Sequence, residues 1–434
     1  MIKSTAATEE KPTQINLAVI GAGAKAAAIS ARAHAATEHG RQVDVTIFEK
    51  TEIGANWTGG AGYTNGNQRL CTQIERDLIF PLNPPTYGID TSALESHSWN
   101  SFLYQRCEYQ KWVDSGRLPP THKEFAEYLS WSIKKSKAAI VNGEATKFSE
   151  SGGKWKIKYK PRGSTSHRTH PTMFDGIVIT GPGPARRIPR TGAPVNSYDG
   201  HSFWLKENQK HIEKTLKKLR VDDQILIIGA GGTSAAILAW LIKNGQQDRT
   251  IIMLADQPAF FTRGNSVFEN RLFNDDNTWK TLPEDAREKF VSRLNRGVVW
   301  DAVMEQVSQA NSLLFHYGRA ERIRYKGNSI SVKVHSGFTK SVTLSPAILI
   351  DASGFDPFWF MKMFEDLSPA LRKDTKFHKK LSSEIGSRLS FTDSHWKLPP
   401  LHAPMLASAE GPGFSNLMSL GSLADRILGH YLAT

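Results

Sequence analysis

Two short glycine-rich stretches of the sequence have the residue types and spacing of loops that hold a dinucleotide. The stretches "NLAVIGAGAKAAAISARA" and "QILIIGAGGTSAAILAWL" each place an apolar strand before G-x-G-x-x-[A/S] and an Ala-rich helix after it. The first glycine permits a tight turn, the second lets the backbone approach a pyrophosphate, and the third small residue allows close helix–strand packing, while the helix N-terminus supplies N–H groups. These roles fall on Gly21, Gly23 and Ala26 in the first stretch and on Gly229, Gly231 and Ser234 in the second.

The strand that follows each loop indicates which nucleotide the loop holds. The first strand, "VDVTIFEK", ends in Glu49, and a carboxylate there accepts hydrogen bonds from the ribose hydroxyls of an adenosine. The second, "RTIIMLAD", is followed by Arg263, a cation suited to the 2′-phosphate of NADPH, whereas the carboxylate of Asp256 would repel that phosphate. We therefore expect a flavoprotein that binds FAD at the first loop and takes hydride from NADPH at the second.

The order of these motifs predicts an α/β fold with two Rossmann-like dinucleotide-binding domains, the nicotinamide domain being inserted in the FAD domain. We expect residues 1–14 to form a flexible polar tail, residues 15–198 and 346–434 to form the FAD domain, and residues 199–345 to form the NADPH domain. The segment between Glu49 and about residue 150 leaves the FAD domain as an excursion that lines the substrate site. The strand in "AILIDASGFDP" is expected to return the chain to the first sheet at Asp351.

Composition excludes several other classes of protein. The net charge is +13, but the basic residues are scattered, so we predict no nucleic-acid surface and only a preference for small anionic ligands. Two cysteines, Cys71 and Cys107, are too few for a disulfide framework or a zinc cluster, and they fit a reducing cytoplasm. The fourteen histidines show no metal-binding spacing, so no metal is predicted. The apolar run 225–242 divides into a strand and a helix, so no membrane span is predicted.

Several longer motifs carry a resemblance to a known family. The sequence contains, in this order, "GAGAKAAA", "GANW", "RLCTQIERDLIFP", "PTHKEFAEYLSW", "FFTRGNSVFENRLF", "DASGFDP" and "GPGFSNLMSLGSLADRILG". In these motifs it resembles the flavin-dependent amino-acid N-hydroxylases of siderophore biosynthesis, and most of all the mycobactin-type L-lysine N6-monooxygenases. The resemblance implies a class B flavin monooxygenase that hydroxylates the side-chain amine of L-lysine with FAD, NADPH and O2, through a C4a-hydroperoxyflavin with NADP+ still bound. It also implies a homodimer or homotetramer.

The resemblance also implies individual site residues. Arg76 stands where related ornithine hydroxylases carry a lysine that grips the substrate carboxylate, a task that arginine performs with two hydrogen bonds. Asn270 and Asn295 match asparagines that contact the substrate. Three further residues match positions near the flavin, namely Trp57, Asn416 and Leu417.

The substrate amine sets a condition on the site. A free lysine amine has a pKa near 10.4 and is mostly protonated at neutral pH, so the pocket must favour the neutral nucleophile. The same chemistry on L-ornithine or another amine remains an alternative, because one sequence does not measure the length of a pocket. Oxidation of carbon or sulfur and a non-catalytic flavin-binding protein are further alternatives, although the intact glycine loops argue against the latter.

Overall fold

The protein is described as a computed structural model. It covers residues 14–60, 62–83, 87–262, 266–294, 298–299, 301–336, 341–391 and 396–433.

The N-terminal part of the chain forms most of the first domain, which one strand and two helices from the C-terminal part complete. It alternates strands and helices up to β2, then runs through five helices before it returns to strands. The elements are β1 (Ile15–Ile20), α1 (Ala24–Glu38), β2 (Val43–Glu49), α2 (Ala55–Thr58), α3 (Thr91–Glu95), α4 (Trp99–Gln105), α5 (Tyr109–Asp114), α6 (His122–Lys135), β3 (Ala139–Ser151), β4 (Lys154–Pro161), β5 (Arg168–Thr169) and β6 (Gly176–Ile179).

The middle of the chain forms the second domain. Its elements are β7 (Arg190–Thr191), β8 (Ser197–Asp199), α7 (Lys206–Leu216), β9 (Ile225–Ile228), α8 (Gly232–Leu241), β10 (Ile251–Ala255), β11 (Phe261–Thr262), α9 (Val267–Leu272), α10 (Asp276–Thr281), α11 (Glu284–Leu294), β12 (Val298–Val299), α12 (Asp301–Val307), β13 (Leu313–Tyr317), β14 (Arg319–Lys326), β15 (Ser329–His335), β16 (Val342–Leu344) and β17 (Ile348–Asp351). The C-terminal part adds α13 (Thr375–Ser383), β18 (Leu401–His402) and α14 (Leu420–Leu432).

The two main sheets repeat one arrangement. The first sheet has the order β18-β6-β1-β2-β3-β4-β5, in which the first five strands run parallel and β4 and β5 extend the edge antiparallel. The second has the order β13-β10-β9-β17-β8 and is parallel throughout. In both sheets a glycine loop follows a central strand, β1 or β9, which places a helix N-terminus at the carboxyl edge of the sheet. The predicted fold class, two Rossmann-like domains with one inserted in the other, is confirmed.

The boundaries of the inserted domain differ from the prediction. β17 was expected to complete the first sheet, but it pairs with β9 and β8 in the second, while β6 takes the matching place beside β1. At the other end, β7 and β8 already belong to the second domain, in a four-stranded sheet with β14 and in the parallel sheet. The second domain therefore extends over about 190–351. The physical reason is that β9, buried and apolar, needs a partner strand on both edges, and the run "ILID" supplies one of them.

Two linkers join the domains side by side. Ala185 and Phe355 form an isolated antiparallel bridge, and the Arg186 N–H donates to the Gly354 carbonyl at 2.9 Å. The Asp356 N–H donates to the Pro184 carbonyl, also at 2.9 Å. The outgoing and returning chains thus cross between the sheets as one hydrogen-bonded ribbon.

The helices follow their local sequences. In α6, Thr121 and Glu124 form a capping box, and the buried residues Phe125, Leu129 and Ile133 recur at helical spacing. By contrast, α1 is rich in alanine and buried on nearly all sides, because it lies between the first sheet and α14. No described helix is both long enough and apolar enough to cross a membrane.

A buried arginine ties α1 to the rest of the first domain. Arg32 has no exposed side-chain surface, and its Nε lies 2.9 Å from an Asp425 carboxylate oxygen on α14 and donates to the Gly421 carbonyl at 2.9 Å. Nη2 donates to the Ile79 carbonyl at 3.3 Å. Asp77 is also buried. The nearby Arg32 charge lowers the pKa of Asp77, but burial has the larger effect and raises that pKa to about 6.

Replacing Arg32 with methionine should destabilise the protein by about 3–5 kcal/mol, since it leaves the Asp425 carboxylate, of which only 20% is exposed, without its cation. Urea unfolding followed by tryptophan fluorescence measures the change. The control is Arg106→Met, which removes exposed ion pairs to Glu108 and Glu127 and should cost under about 1 kcal/mol. Equal losses in the two variants would contradict a special role for the buried cation.

Candidate active site

The first glycine loop has the geometry of a pyrophosphate cradle. Gly21 has φ of +96°, a conformation that side chains rarely adopt, and a Cβ there would meet Thr180 Oγ1 at 3.0 Å. Gly23 caps α1, and a Cβ built on it would meet nothing within 4 Å. In the described structure, no acceptor contacts the amides of residues 24–26 at the start of α1. The loop therefore presents free N–H groups beside open space, which fits a pyrophosphate.

Glu49 fixes this loop from the end of β2. One carboxylate oxygen accepts from the Ala22 N–H at 2.8 Å, and the other accepts from the Thr51 N–H and Oγ1, each at 2.8 Å. The side chain is buried, and the oxygen that accepts from Ala22 keeps a lone pair that a ribose hydroxyl could use, whereas the other oxygen already accepts two hydrogen bonds. Glu49 therefore holds the loop itself in place, and its contact with an adenosine ribose stays a prediction.

Trp57 lies next to the loop but is held by protein contacts. The Gly54 N–H donates to the Ala22 carbonyl at 2.9 Å, which places α2 beside the loop. The half-buried Trp57 ring makes edge-on contacts with His122 and Phe125 at centroid distances of 4.9 and 5.3 Å. Its established contacts are thus with α6.

The second glycine loop repeats the design with tighter packing. Gly229 has φ of +103°, and a Cβ there would come within 2.4 Å of the Ala352 carbonyl oxygen just beyond β17. Gly231 caps α8, and Ser234, fully buried on its first turn, has no hydrogen-bond partner for its hydroxyl in the described part of the chain. Any side chain at Gly229 would separate the loop from β17.

The end of β10 carries an ion pair that the sequence reasoning missed. Arg319 donates to one oxygen of the Asp256 carboxylate from Nε at 3.0 Å and from Nη2 at 2.7 Å. The sequence analysis expected the Asp256 carboxylate to repel a 2′-phosphate, but Arg319 pairs with this carboxylate and offsets its charge. Arg263, the predicted phosphate ligand, lies outside the described residues. The signal for Arg319 could not be local, because it follows β13 and reaches β10 only through the parallel pairing of the two strands.

A cavity of about 270 Å³ brings together two of the predicted substrate residues. Its lining is Arg76, Val267, Asn270, Arg271, Asn274 and Asp275. Arg76 Nη2 lies 3.5 Å from the Asn270 carbonyl oxygen, and Nη1 lies 3.3 Å from the Met418 carbonyl oxygen. The guanidinium also stands 4.7 Å from the centre of the Phe80 ring. Arg76 and Asn270, distant in sequence, thus line one cavity, and their contact with a substrate stays a prediction. Asn295, the third predicted substrate residue, lies outside the described residues.

Asn274 orients Arg76 and was not found from the sequence. With its amide assigned by the hydrogen-bond network, its oxygen accepts from Arg76 Nη1 at 2.9 Å. Its nitrogen donates to the Phe273 carbonyl at 3.1 Å and to Ser419 Oγ at 3.0 Å. Asn274 therefore links the guanidinium to the residue that precedes α14.

The cavity also has one carboxylate. Asp275 caps α10, accepting from the Thr278 N–H at 3.0 Å and from Thr278 Oγ1 at 2.6 Å. These hydrogen bonds hold the pKa of Asp275 below its usual range, so the group is ionised at neutral pH. Cationic and anionic side chains thus line one small cavity.

Asn416 and Leu417 belong to the segment that closes this region before α14. Asn416 braces the segment internally: its Nδ2 donates to the Pro412 carbonyl at 2.8 Å, and its Oδ1 accepts from the Met418 N–H at 2.9 Å. Leu417 packs against the hydrophobic core of the first domain. Because Met418 in turn accepts from Arg76, the segment connects the predicted flavin residues to the small cavity.

A second cavity of about 620 Å³ lies along the linkers. It is lined by residues 184–190 together with Asp199, and Arg186 and Arg187 give it positive charge. Arg190 is already paired with Asp351 at 2.6 Å. Positive charge between the two sheets suits the phosphates of a dinucleotide. No group of three or more His, Cys, Asp or Glu side chains that could hold a metal occurs among the described residues.

Comparisons with known proteins place this geometry. A family model described as L-lysine 6-monooxygenase/L-ornithine 5-monooxygenase matches residues 87–316. The L-lysine N6-monooxygenase MbtG of Mycobacterium tuberculosis is 32% identical over 437 residues, covering 95% of this chain and 94% of the relative. The chain belongs to this monooxygenase family. MbtG of Mycolicibacterium paratuberculosis is 31% identical, with 96% and 95% of the two chains covered.

A solved structure agrees over the same length. The lysine monooxygenase NbtG from Nocardia farcinica has a TM-score of 0.78 and 28% identity, covering 95% of this chain and all of that one. The ornithine N-hydroxylase KtzI of Kutzneria sp. 744, at 16% identity and a TM-score of 0.68, shares the fold. As a member of the family, the chain is an FAD- and NADPH-dependent flavin N-monooxygenase with O2 as co-substrate. The free amides and open space at the first loop fit FAD, and the second loop fits the dinucleotide of NADPH.

Removing the cation at the end of β10 should weaken the use of NADPH more than that of NADH. In Arg319→Ala the Asp256 carboxylate is uncovered and repels the 2′-phosphate, so KM for NADPH should rise roughly 10-fold while KM for NADH changes little. Steady-state oxidation of both nucleotides measures this selectivity.

The control for that prediction is Arg324→Ala, on the same strand β14 and also exposed. It removes the same net charge without touching Asp256 and should leave both KM values unchanged. A similar rise for NADPH in both variants would show that net charge alone governs binding.

Proposed function

We propose that the protein hydroxylates the side-chain amine of L-lysine, yielding a precursor for hydroxamate siderophore assembly. The observation that carries the proposal is the meeting of Arg76 and Asn270 in one cavity that also contains the ionised Asp275. The relatives named L-lysine N6-monooxygenase, which match nearly the whole chain, support lysine as the substrate.

The cavity suits the zwitterionic end of an amino acid. Arg76, held in place by Asn274 and stacked on Phe80, is proposed to bind the α-carboxylate with two charge-assisted hydrogen bonds. Asp275 is proposed to attract the α-ammonium group, and the amide of Asn270 to bind the same end. With the zwitterion fixed, the side-chain amine projects away from these charges, and the length of the chain decides whether it reaches the reaction centre.

The cofactors divide between the two loops in this proposal. Gly21, Gly23, Ala26 and Glu49 are proposed to hold FAD, and Gly229, Gly231 and Ser234 to hold NADPH, with Arg263 at its phosphate. When bound, the flavin reduced by NADPH supplies the activated oxygen that is transferred to the amine. The chain's part is to position the amine, exclude bulk water and favour the unprotonated amine, since only that form is nucleophilic.

Surroundings and assembly complete the proposal. We propose a location in a reducing cytoplasm, since two cysteines, Cys71 and Cys107, are too few for a disulfide framework. We propose a homodimer or homotetramer, which light scattering after size-exclusion chromatography would establish.

Mass spectrometry of the reaction products tests the substrate. With FAD, NADPH and O2, lysine should gain one oxygen, and ornithine should gain far less because its side chain is one methylene shorter. Equal or faster hydroxylation of ornithine would overturn the lysine assignment. NADPH oxidation that yields only hydrogen peroxide with every amine would overturn the proposed amino-acid cavity.

Arg76→Ala tests the carboxylate clamp. The loss of two charge-assisted hydrogen bonds should lower kcat/KM for lysine about 100-fold, while flavin reduction by NADPH stays unchanged. Cadaverine, which equals lysine without its carboxylate, provides the matched control, and its kcat/KM should not change in the variant. An equal loss with both amines would mean that Arg76 acts on something other than the carboxylate.

A further inference from the structure

A buried lysine stands at the start of α1. Gly23 caps the helix, so Lys25 is its second residue. Only 7% of Lys25 is exposed, although lysine is among the residues least often buried. The first turn of α1 contains no acidic residue.

The charge of Lys25 is uncompensated by the protein. In the described part of the chain its ammonium has neither a hydrogen-bond acceptor nor a carboxylate partner. Burial disfavours the charged form and lowers the pKa of Lys25 to about 8. The position is unfavourable for a second reason, because the N-terminus of a helix carries the positive end of the helix dipole. An unpaired buried cation at this end costs stability unless an anion joins it.

The direction of the side chain follows from helix geometry. Side chains in an α-helix lean toward the N-terminus, so the Lys25 ammonium is directed toward the end of α1 with the free amides. Lys25 also precedes Arg32 by two helical turns, so the two side chains lie on the same face of α1. That face is turned toward α14, since Arg32 donates to the carbonyls of Ile79 and Gly421. The open space at Gly23 lies one residue before the helix begins.

We propose that the Lys25 ammonium binds the pyrophosphate of FAD, adding a charged contact to the amides of the glycine loop. The pyrophosphate supplies the anion that the buried lysine lacks, and the ammonium offsets charge that neutral amides only solvate. Lys25 is thus a cofactor-binding residue and takes no part in oxygen transfer. This inference rests on the proposed placement of FAD at the first loop.

The proposal gives Lys25 opposite effects on the empty and the loaded protein. In the full chain stripped of FAD, an unpaired buried ammonium is a liability, so Lys25→Met should melt at the same temperature as the wild type or higher. With FAD bound, the same variant loses a charged hydrogen bond. A residue that merely packs would lower both melting temperatures.

FAD titration of the full chain, followed by flavin fluorescence, measures the binding. Lys25→Met should raise the Kd for FAD at least 10-fold and shrink the rise in melting temperature that FAD produces. Lys376→Met is the matched control, since Lys376 is the second residue of α13 and exposed, and it should leave Kd unchanged. The Kd for NADP+ should be the same in all three proteins.

Each other outcome has a definite meaning. An unchanged Kd for FAD in Lys25→Met overturns the proposal, and an unchanged Kd with a shifted flavin midpoint potential would place the ammonium at the isoalloxazine ring instead. A lower melting temperature of the stripped Lys25→Met protein also overturns it. Gly23→Val tests the underlying placement separately, because its side chain enters open space and should abolish FAD binding without a clash. FAD binding that survives Gly23→Val would refute the placement of FAD itself.

Discussion

The first amide groups of α1 and α8 donate to no acceptor among the described residues. The need to hold these two helix N-termini at the ends of parallel strands governs much of this structure. Each helix follows a central strand through a glycine with positive φ, Gly21 or Gly229. Each of these glycines is in contact with the neighbouring strand's end, through Thr180 in the first sheet and Ala352 in the second. The loops therefore depend on β6 and β17 as much as on the strands that precede them. That dependence explains why two strands distant in sequence occupy the same place in their sheets.

Local pattern was sufficient to find the strands but not to assign them all. The sequence located both glycine loops, Glu49 and the apolar run that forms β17, because each has its signal within a few residues. The prediction that β17 belongs to the first sheet was wrong, because a short buried strand can pair with either β1 or β9. Only the pairing in three dimensions distinguishes these two partners. Arg319 and Asn274 escaped notice for the same reason, since their partners lie far away along the chain. Arg76 and Asn270 were identified only through the family resemblance, and no spacing rule would have joined them.

The small cavity is built from both domains and the C-terminal segment. Arg76 comes from the excursion of the first domain, Asn270 and Asn274 come from the second, and Met418 and Ser419 come from the C-terminal segment. Each contributes a hydrogen bond to the same cluster, so the position of the guanidinium reports the relative position of all three segments. Charged residues come from both domains: Arg76 belongs to the first, and Arg271 and Asp275 belong to the second.

The paired linkers bear on how such an architecture arises. Because the residues that flank the Ala185–Phe355 bridge exchange two hydrogen bonds, the second domain starts and finishes at the same place on the first. A segment with adjacent ends can be inserted into a host chain, or removed from it, with little change in the host's own path. The strand order of the first sheet is complete without the insert, as β18 and α14 return to it directly. The inserted domain is thus a modular addition, one that a short peptide joining the two linkers could replace.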